Sequence, residues 1–235
     1  MRFGMVEALR GVTLRVAPGE VVGLVGDNAA GKSTLMKCLS GTYIPDSGEI
    51  WVDGERATYR TPREAQNLGI EMVYQDLALC DDIDVAGNIF LGREPRTLGG
   101  LALDKKQMHA KARALLDSLR IRIPYTDLPV RNLSGGQRQS VAIARAVHFQ
   151  PRLLILDEPT AALAVAEVEM VLELISRVAE SGVGVILITH RLQDLFRVCD
   201  RITVMYEGTL RADLDARTTS LETLVQEIVG RGHAA

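Results

Sequence analysis

Three runs of the chain are apolar without interruption: Val21 to Val25, Leu153 to Leu156 and Val183 to Ile188. A strand with one wet face alternates apolar and polar side chains, so an unbroken run predicts a strand covered on both faces, as inside a parallel sheet. Helix-like segments lie beside these runs: GKSTLMKCLS directly after EVVGLVG, and VEMVLELISRVA between LLILD and VGVILIT. Such alternation predicts a parallel sheet joined by crossover helices. The middle of the chain follows another pattern. From Asp104 onward, Met108, Ala112, Leu115, Leu116 and Leu119 recur at helical spacing, and no strand is expected before Arg152. This predicts a helical insertion there. SGEIWVDG and GIEMVYQD are short β-prone pieces bounded by Gly and Asp, and both are expected in an antiparallel flap. ITVMYEG and TLRADL predict a last strand pair, followed by a helix opened by Thr218 to Ser220. With no repeat, low-complexity stretch or Pro-rich linker, residues 1–235 read as a single domain of α/β class.

Composition sets limits on function. A hydrophobic fraction of 47% is ample for a packed core, and 27 Lys and Arg against 30 Asp and Glu leave a formal net charge of -3. That balance gives no electrostatic reason to expect a nucleic-acid partner. The longest apolar stretches fall far short of the roughly 18–20 residues that cross a bilayer. MRFGMVEALRGVTL has no apolar segment followed by a small-residue cleavage site, so the expected location is the cytosol. Cys38, Cys80 and Cys199 are odd in number, widely spaced and outside any CxxC pair, so they are expected as reduced thiols.

Three short segments carry chemistry. GDNAAGKST spans Gly26, Asp27, Asn28, Ala29, Ala30, Gly31, Lys32, Ser33 and Thr34, fits G-x-x-x-x-G-K-[ST], and lies where a strand ends and a helix begins. Gly26 and Gly31 let the backbone curl so that amides and the positive helix end face a phosphate chain. Lys32 adds a point charge for the outer phosphates, and the Ser33 hydroxyl is a magnesium ligand candidate. RLLILDE ends a buried strand in two acids: Asp157 is expected in the magnesium shell, and Glu158 is placed to polarise an attacking water. LSGGQ contributes Ser134, Gly135, Gly136 and Gln137 at the start of the helix QRQSVAIARAVHF, which reads either as a second phosphate cradle or as a plain helix cap.

GDNAAGKST, the glutamine of VYQD, LSGGQ about twenty residues before LLILDE, and the histidine of ILITH together resemble the nucleotide-binding subunit of an ABC transporter, over nearly the whole chain. The resemblance implies a P-loop ATPase core with a mostly parallel sheet, an antiparallel β subdomain, and a helical subdomain, approximately residues 77–150, that carries LSGGQ. It implies ATP and Mg2+ as ligands, Gln75 near magnesium and the membrane-domain contact, His190 on the γ-phosphate, and Phe3 in the place of the aromatic that stacks on adenine. It also implies a head-to-tail homodimer, in which Ser134 and Gly136 of one copy close over ATP held by Lys32 of the other. Further implied partners are a transmembrane permease and, indirectly, a periplasmic or extracellular sugar-binding protein, with the subunit peripheral on the inner face of the cell membrane. VEALRGV, IEMVYQDLALCDDIDVAGNIFLGRE and DEPTAALAVAE are more narrowly similar to importers of simple sugars of the ribose, xylose and fructose type. Many of those carry two fused cassettes, so one cassette here is expected to work as two copies. An ABC ATPase serving another solute is the chief competing reading. A soluble repair-type ABC ATPase would need a long coiled coil, and only 108 positions separate Gly26 from Ser134.

Three positions depart from the family pattern. Only two residues precede Phe3, where the family has about ten residues of strand. Ala164 stands at the usual D-loop aspartate, a replacement that this sugar subset tolerates. Ala29 replaces a common P-loop glycine, and its methyl is tolerable there if the residue has negative φ. The resemblance also places Asp76 to Arg93 beside the groove that receives a permease helix, while its Leu77, Leu79, Ile83, Val85 and Phe90 read equally well as core.

Overall fold

The computed structural model describes residues 1–97 and 101–230. Its main sheet has six strands in the spatial order Thr209–Asp215, Arg201–Tyr206, Val21–Gly26, Gly184–Ile188, Leu153–Asp157 and Ile70–Val73. All neighbours run parallel except the first pair, which is the expected final hairpin. The unbroken apolar runs occupy central strands because each supplies both faces. Val21, Val25, Leu154, Leu156, Val185 and Leu187 belong to one buried cluster, whereas Leu24, Ile155, Ile186 and Ile188 belong to the other.

Helices Val85–Phe90, Gly135–Val147 and Val165–Glu180 contribute buried residues to the first cluster, and helix Lys32–Leu39 contributes to the second. Helix Lys105–Ser118 begins at Asp104, whose carboxylate caps the Gln107 amide at 2.9 Å, and it buries Met108, Ala112 and Leu116 as the spacing predicts. The last helix, Leu221–Val229, is capped by Ser220. Among the described residues no helix is long and apolar enough to cross a membrane.

One expected element is placed differently. GIEMVYQD does not join SGEIWVDG in a flap: Ile70–Val73 forms the edge of the parallel sheet and pairs with Leu153–Leu156. Ile70, Glu71 and Val73 are buried, which a solvent flap could not provide. The antiparallel partner of Ile50–Val52 is instead Glu55–Ala57, joined through Asp53 and Gly54, both at positive φ.

Candidate functional site

In a parallel sheet, ligands collect where the carboxyl ends of the strands stop. Strands Val21–Gly26, Leu153–Asp157 and Gly184–Ile188 lie in register, with Leu24 beside Ile188 and Ile188 beside Asp157, so their following loops open at one edge. A cleft of about 850 Å³ lies there. It is lined by Gly26, Asn28, Ala29, Ala30, Gly31, Lys32, Ser33 and Thr34 on one side, and by Gln75, Asp157, Glu158 and His190 on the other. Residues from four separate stretches of sequence thus meet around one space.

The P-loop needs both of its glycines because backbone carbonyls crowd them. A Cβ on Gly26 would collide with the Met205 carbonyl, and one on Gly31, at φ 100°, would approach the Ala8 carbonyl to 2.6 Å. Gly31 is also the residue before helix Lys32–Leu39, and no side chain caps that helix, which leaves its first amides for a ligand. Lys32 curls back, its Nζ donating to the Gly26 carbonyl at 2.7 Å and the Asp27 carbonyl at 3.0 Å. Burial pushes the ammonium below its ordinary pKa, while Glu158, Asp27 and Asp157 pull it upward. Ala29 does not meet the condition of negative φ: it adopts φ 68°, in the left-handed region, so its methyl is held at a strained backbone.

Burial raises the pKa of the Asp157 carboxyl, with Glu158 adding to the effect and Lys32 and Lys37 opposing it. A carboxylate kept reluctant to ionise by burial and a neighbouring acid is relieved by a bound cation. With the Ser33 hydroxyl in the same cleft, this donor set fits a hard oxygen-seeking ion such as Mg2+. Glu158 adopts φ 52°, uncommon for a residue with a side chain, and its amide donates to the Ile188 carbonyl at 2.9 Å. This turns the carboxylate toward the next strand, where Oε2 lies 2.8 Å from His190 Nδ1. The His190 ring is 72% exposed and Glu158 only 18%, so the histidine reaches the carboxylate from the solvent side. The Thr160 hydroxyl donates to Asp194 at 2.7 Å, and Asp194 is buried, which anchors the turn after Glu158 to helix Leu192–Val198.

Two sets of predicted residues lie elsewhere. Phe3 does not line the cleft; its ring meets Tyr43 edge-on at 5.3 Å. Val6, Glu7, Ala8 and Arg10 line the cleft from the N-terminal side, with Ile188, Thr189, Glu207 and Gly208 completing it. No motif marks these residues, although the Gly of YEG is a turn signal: Gly208 accepts from the Arg10 amide at 2.7 Å and donates to the Ala30 carbonyl at 3.0 Å. Ser134, Gly135, Gly136 and Gln137 also lie outside the cleft. Ser134 and Gln137 form a reciprocal capping box on helix Gly135–Val147. The glycines admit the neighbouring helix, since a Cβ on Gly136 would come within 2.8 Å of Glu167 Cβ and Met170 Cε.

The segment Asp76 to Arg93 divides residue by residue. Val85 and Phe90 are core, Leu77 and Leu79 are half-buried against it, and Ile83 and Leu91 are 39% and 40% exposed. Asp81 pairs with Arg138 at 2.6 Å, Asp82 pairs with Arg131, and Arg145 donates to the Leu77 and Ala78 carbonyls. This segment is therefore tied to helix Gly135–Val147.

The profile of the ABC transporter family matches residues 9–161. The xylose/arabinose import ATP-binding protein XylG of Sulfolobus acidocaldarius is 46% identical over 95% of this chain and 88% of its own length. The ribose import ATP-binding protein RbsA 2 of Rubrobacter xylanophilus is 44% identical over 98% of this chain. The chain spans 44% of that relative's length. Among solved structures, a nucleotide-free ATP-binding cassette from an ABC transporter superposes with a TM-score of 0.80 at 26% identity, covering 97% of this chain and 92% of that one.

Proposed function

The chain belongs to the ABC transporter family, and from that premise we propose that it is the ATP-hydrolysing subunit of an importer of simple sugars, driving a separate membrane permease. The observation that carries this reading is the convergence of Lys32, Asp157, Glu158 and His190 on one cleft built around a strand-to-helix phosphate loop. The sugar class is supported by the naming of both relatives as pentose import proteins.

The β- and γ-phosphates lie along the amides of residues 29–34, and Lys32 exchanges its carbonyl partners for phosphate oxygens. Ser33 and Asp157 would hold Mg2+, with Gln75 beside them, and the ion supplies charge neutralisation on the phosphates. Glu158 orients the attacking water and accepts its proton as the oxygen closes on the γ-phosphorus. His190 fixes that carboxylate through the 2.8 Å contact and faces the transferred group. ATP and water leave as ADP and phosphate.

The subunit works as a head-to-tail pair, Ser134 and Gly136 of one copy closing over ATP bound at Lys32 of the other; the reading is supported by the place of the LSGGQ segment, which lies outside the P-loop cleft of its own chain. It docks through the exposed part of the segment Asp76 to Arg93 on a permease at the inner membrane face, fed by an external sugar-binding protein.

Glu158→Gln tests the chemistry. The amide still positions water but is a poor base, so hydrolysis is expected to fall at least about a hundredfold while MgATP binding persists. Turnover near that of the parent would remove Glu158 from this role.

A further inference from the structure

The cradle at the start of helix Gly135–Val147 already holds an anion. Glu167, in the first turn of helix Val165–Glu180, accepts the Gly136 amide on Oε1 at 3.1 Å and the Ala164 amide on Oε2 at 3.1 Å. The Gly136 amide, then the Ser134 hydroxyl, then the Ala164 amide hold this carboxyl below the ordinary carboxylate range. Gly136 is itself buried, beneath the Glu167 side chain. Ser134 and Gly136 are the two groups to which the proposed function assigns the γ-phosphate of a partner copy. The Gly136 amide is the donor common to both, and a phosphate and a carboxylate, both anionic acceptors, cannot take it at once.

Ala164 gives the carboxylate a second seat. As the residue that caps helix Val165–Glu180 it has no side chain with which to do so, and Glu167 reaches back to its amide instead. If Glu167 lets go of Gly136 it keeps its place in its own helix, so release needs only a side-chain rotation with no unwinding.

We propose that Glu167 is an internal gate on the composite ATP site, a tethered carboxylate that fills the γ-phosphate seat of the LSGGQ segment until an ATP-loaded partner displaces it. This rests on the head-to-tail reading above. The gate sets the threshold for closure: two chains stay apart until both the bridging phosphate and the displaced carboxylate find better partners. Each copy therefore resists closing on an empty site, which limits hydrolysis away from the permease.

The test uses the Glu158→Gln chain, in which closed dimers are expected to be trapped, titrated with MgATP and followed by sedimentation velocity. Glu167→Gln preserves shape but removes the charge and one of the two acceptor oxygens, so it can accept from Gly136 or from Ala164 but not from both. It is expected to lower the MgATP concentration at half-dimerisation at least about fivefold, the low end of ordinary coupling between sites. Binding of a fluorescent ATP analogue to the dilute monomer is expected to be unchanged, because Glu167 does not line the P-loop cleft. Dimerisation of Glu167→Gln where the parent stays monomeric would also support the gate. An unchanged midpoint, with a lower melting temperature for Glu167→Ala, would overturn it and leave Glu167 as a helix cap. A higher midpoint for Glu167→Gln would overturn it in the other sense, as a contact that favours closure. If dimers form, ignore Glu167→Gln and disappear with Ser134→Arg, the gate fails while the head-to-tail reading stands. If neither parent nor Glu167→Gln dimerises at any concentration, that reading falls and the gate with it.

Discussion

Ala29 shows how a single methyl interacts with a loop built for a ligand. The P-loop turns through left-handed or wide φ angles at Gly26, Ala29 and Gly31, and only Ala29 meets the left-handed region with a Cβ. Ala29→Gly is expected to stabilise the nucleotide-free chain by about 1 kcal/mol or less, seen as a melting temperature higher by roughly 2 °C. A fall in melting temperature would show that the unfolded-state entropy of glycine outweighs the strain. At this scale much of the site was legible, because Gly26, Gly31, Lys32 and Asp157 are each required by what a phosphate loop is. The sign of φ at Ala29 was not, since it depends on how the loop closes. Nor was the strained turn that swings Glu158 onto His190, which is set by the pairing of strands ending at Asp157 and Ile188.

At the scale of elements, sequence patterns named strands more easily than their partners. GIEMVYQD and SGEIWVDG look alike locally, yet one pairs with Leu153–Leu156, some eighty residues on, and the other with its neighbour Glu55–Ala57. Glu55–Ala57 has no apolar run, so no hydrophobic pattern marks it. The tie between Glu167 and Gly136 was equally hidden, because it joins the first turns of two helices 31 residues apart. The segment Asp76 to Arg93 can now be probed at chosen positions. Asp82 and Leu91 are exposed, and the Asp82–Arg131 pair, 84% and 57% exposed at its two ends, contributes at most about 1 kcal/mol. Asp82→Lys combined with Leu91→Lys should therefore leave folding and MgATP binding of the isolated subunit within a few degrees and about twofold of the parent. Sugar transport by the reconstituted complex is expected to be lost. Full transport by the double variant would place the permease contact elsewhere.

For the whole molecule, the separation of the two cradles makes a prediction about mixtures. Lys32→Ala and Ser134→Arg chains are each expected to be inactive alone. In a mixed pair the Ser134→Arg chain supplies an intact P-loop and the Lys32→Ala chain an intact LSGGQ segment, so one of two sites is whole. With random pairing and independent sites, the mixture is expected to recover about a quarter of the parent's hydrolysis. Activity no higher than that of the separate variants would argue against sites shared between chains. The sheet order has a different consequence, for how the protein is made. Val21–Gly26 is the first strand of the main sheet to be synthesised, yet its neighbours, Gly184–Ile188 and Arg201–Tyr206, come about 160 residues later. At about 5–20 residues per second, this apolar strand waits roughly 10–30 s for its partners. A nascent chain carrying GDNAAGKST therefore lacks the Asp157, Glu158 and His190 side of its cleft, and presents an unpaired, aggregation-prone strand, until Gly184–Ile188 and the following His190 have been translated. Sheltering by a chaperone at the ribosome is thus most valuable to this protein in the interval between the synthesis of its first and fourth strands.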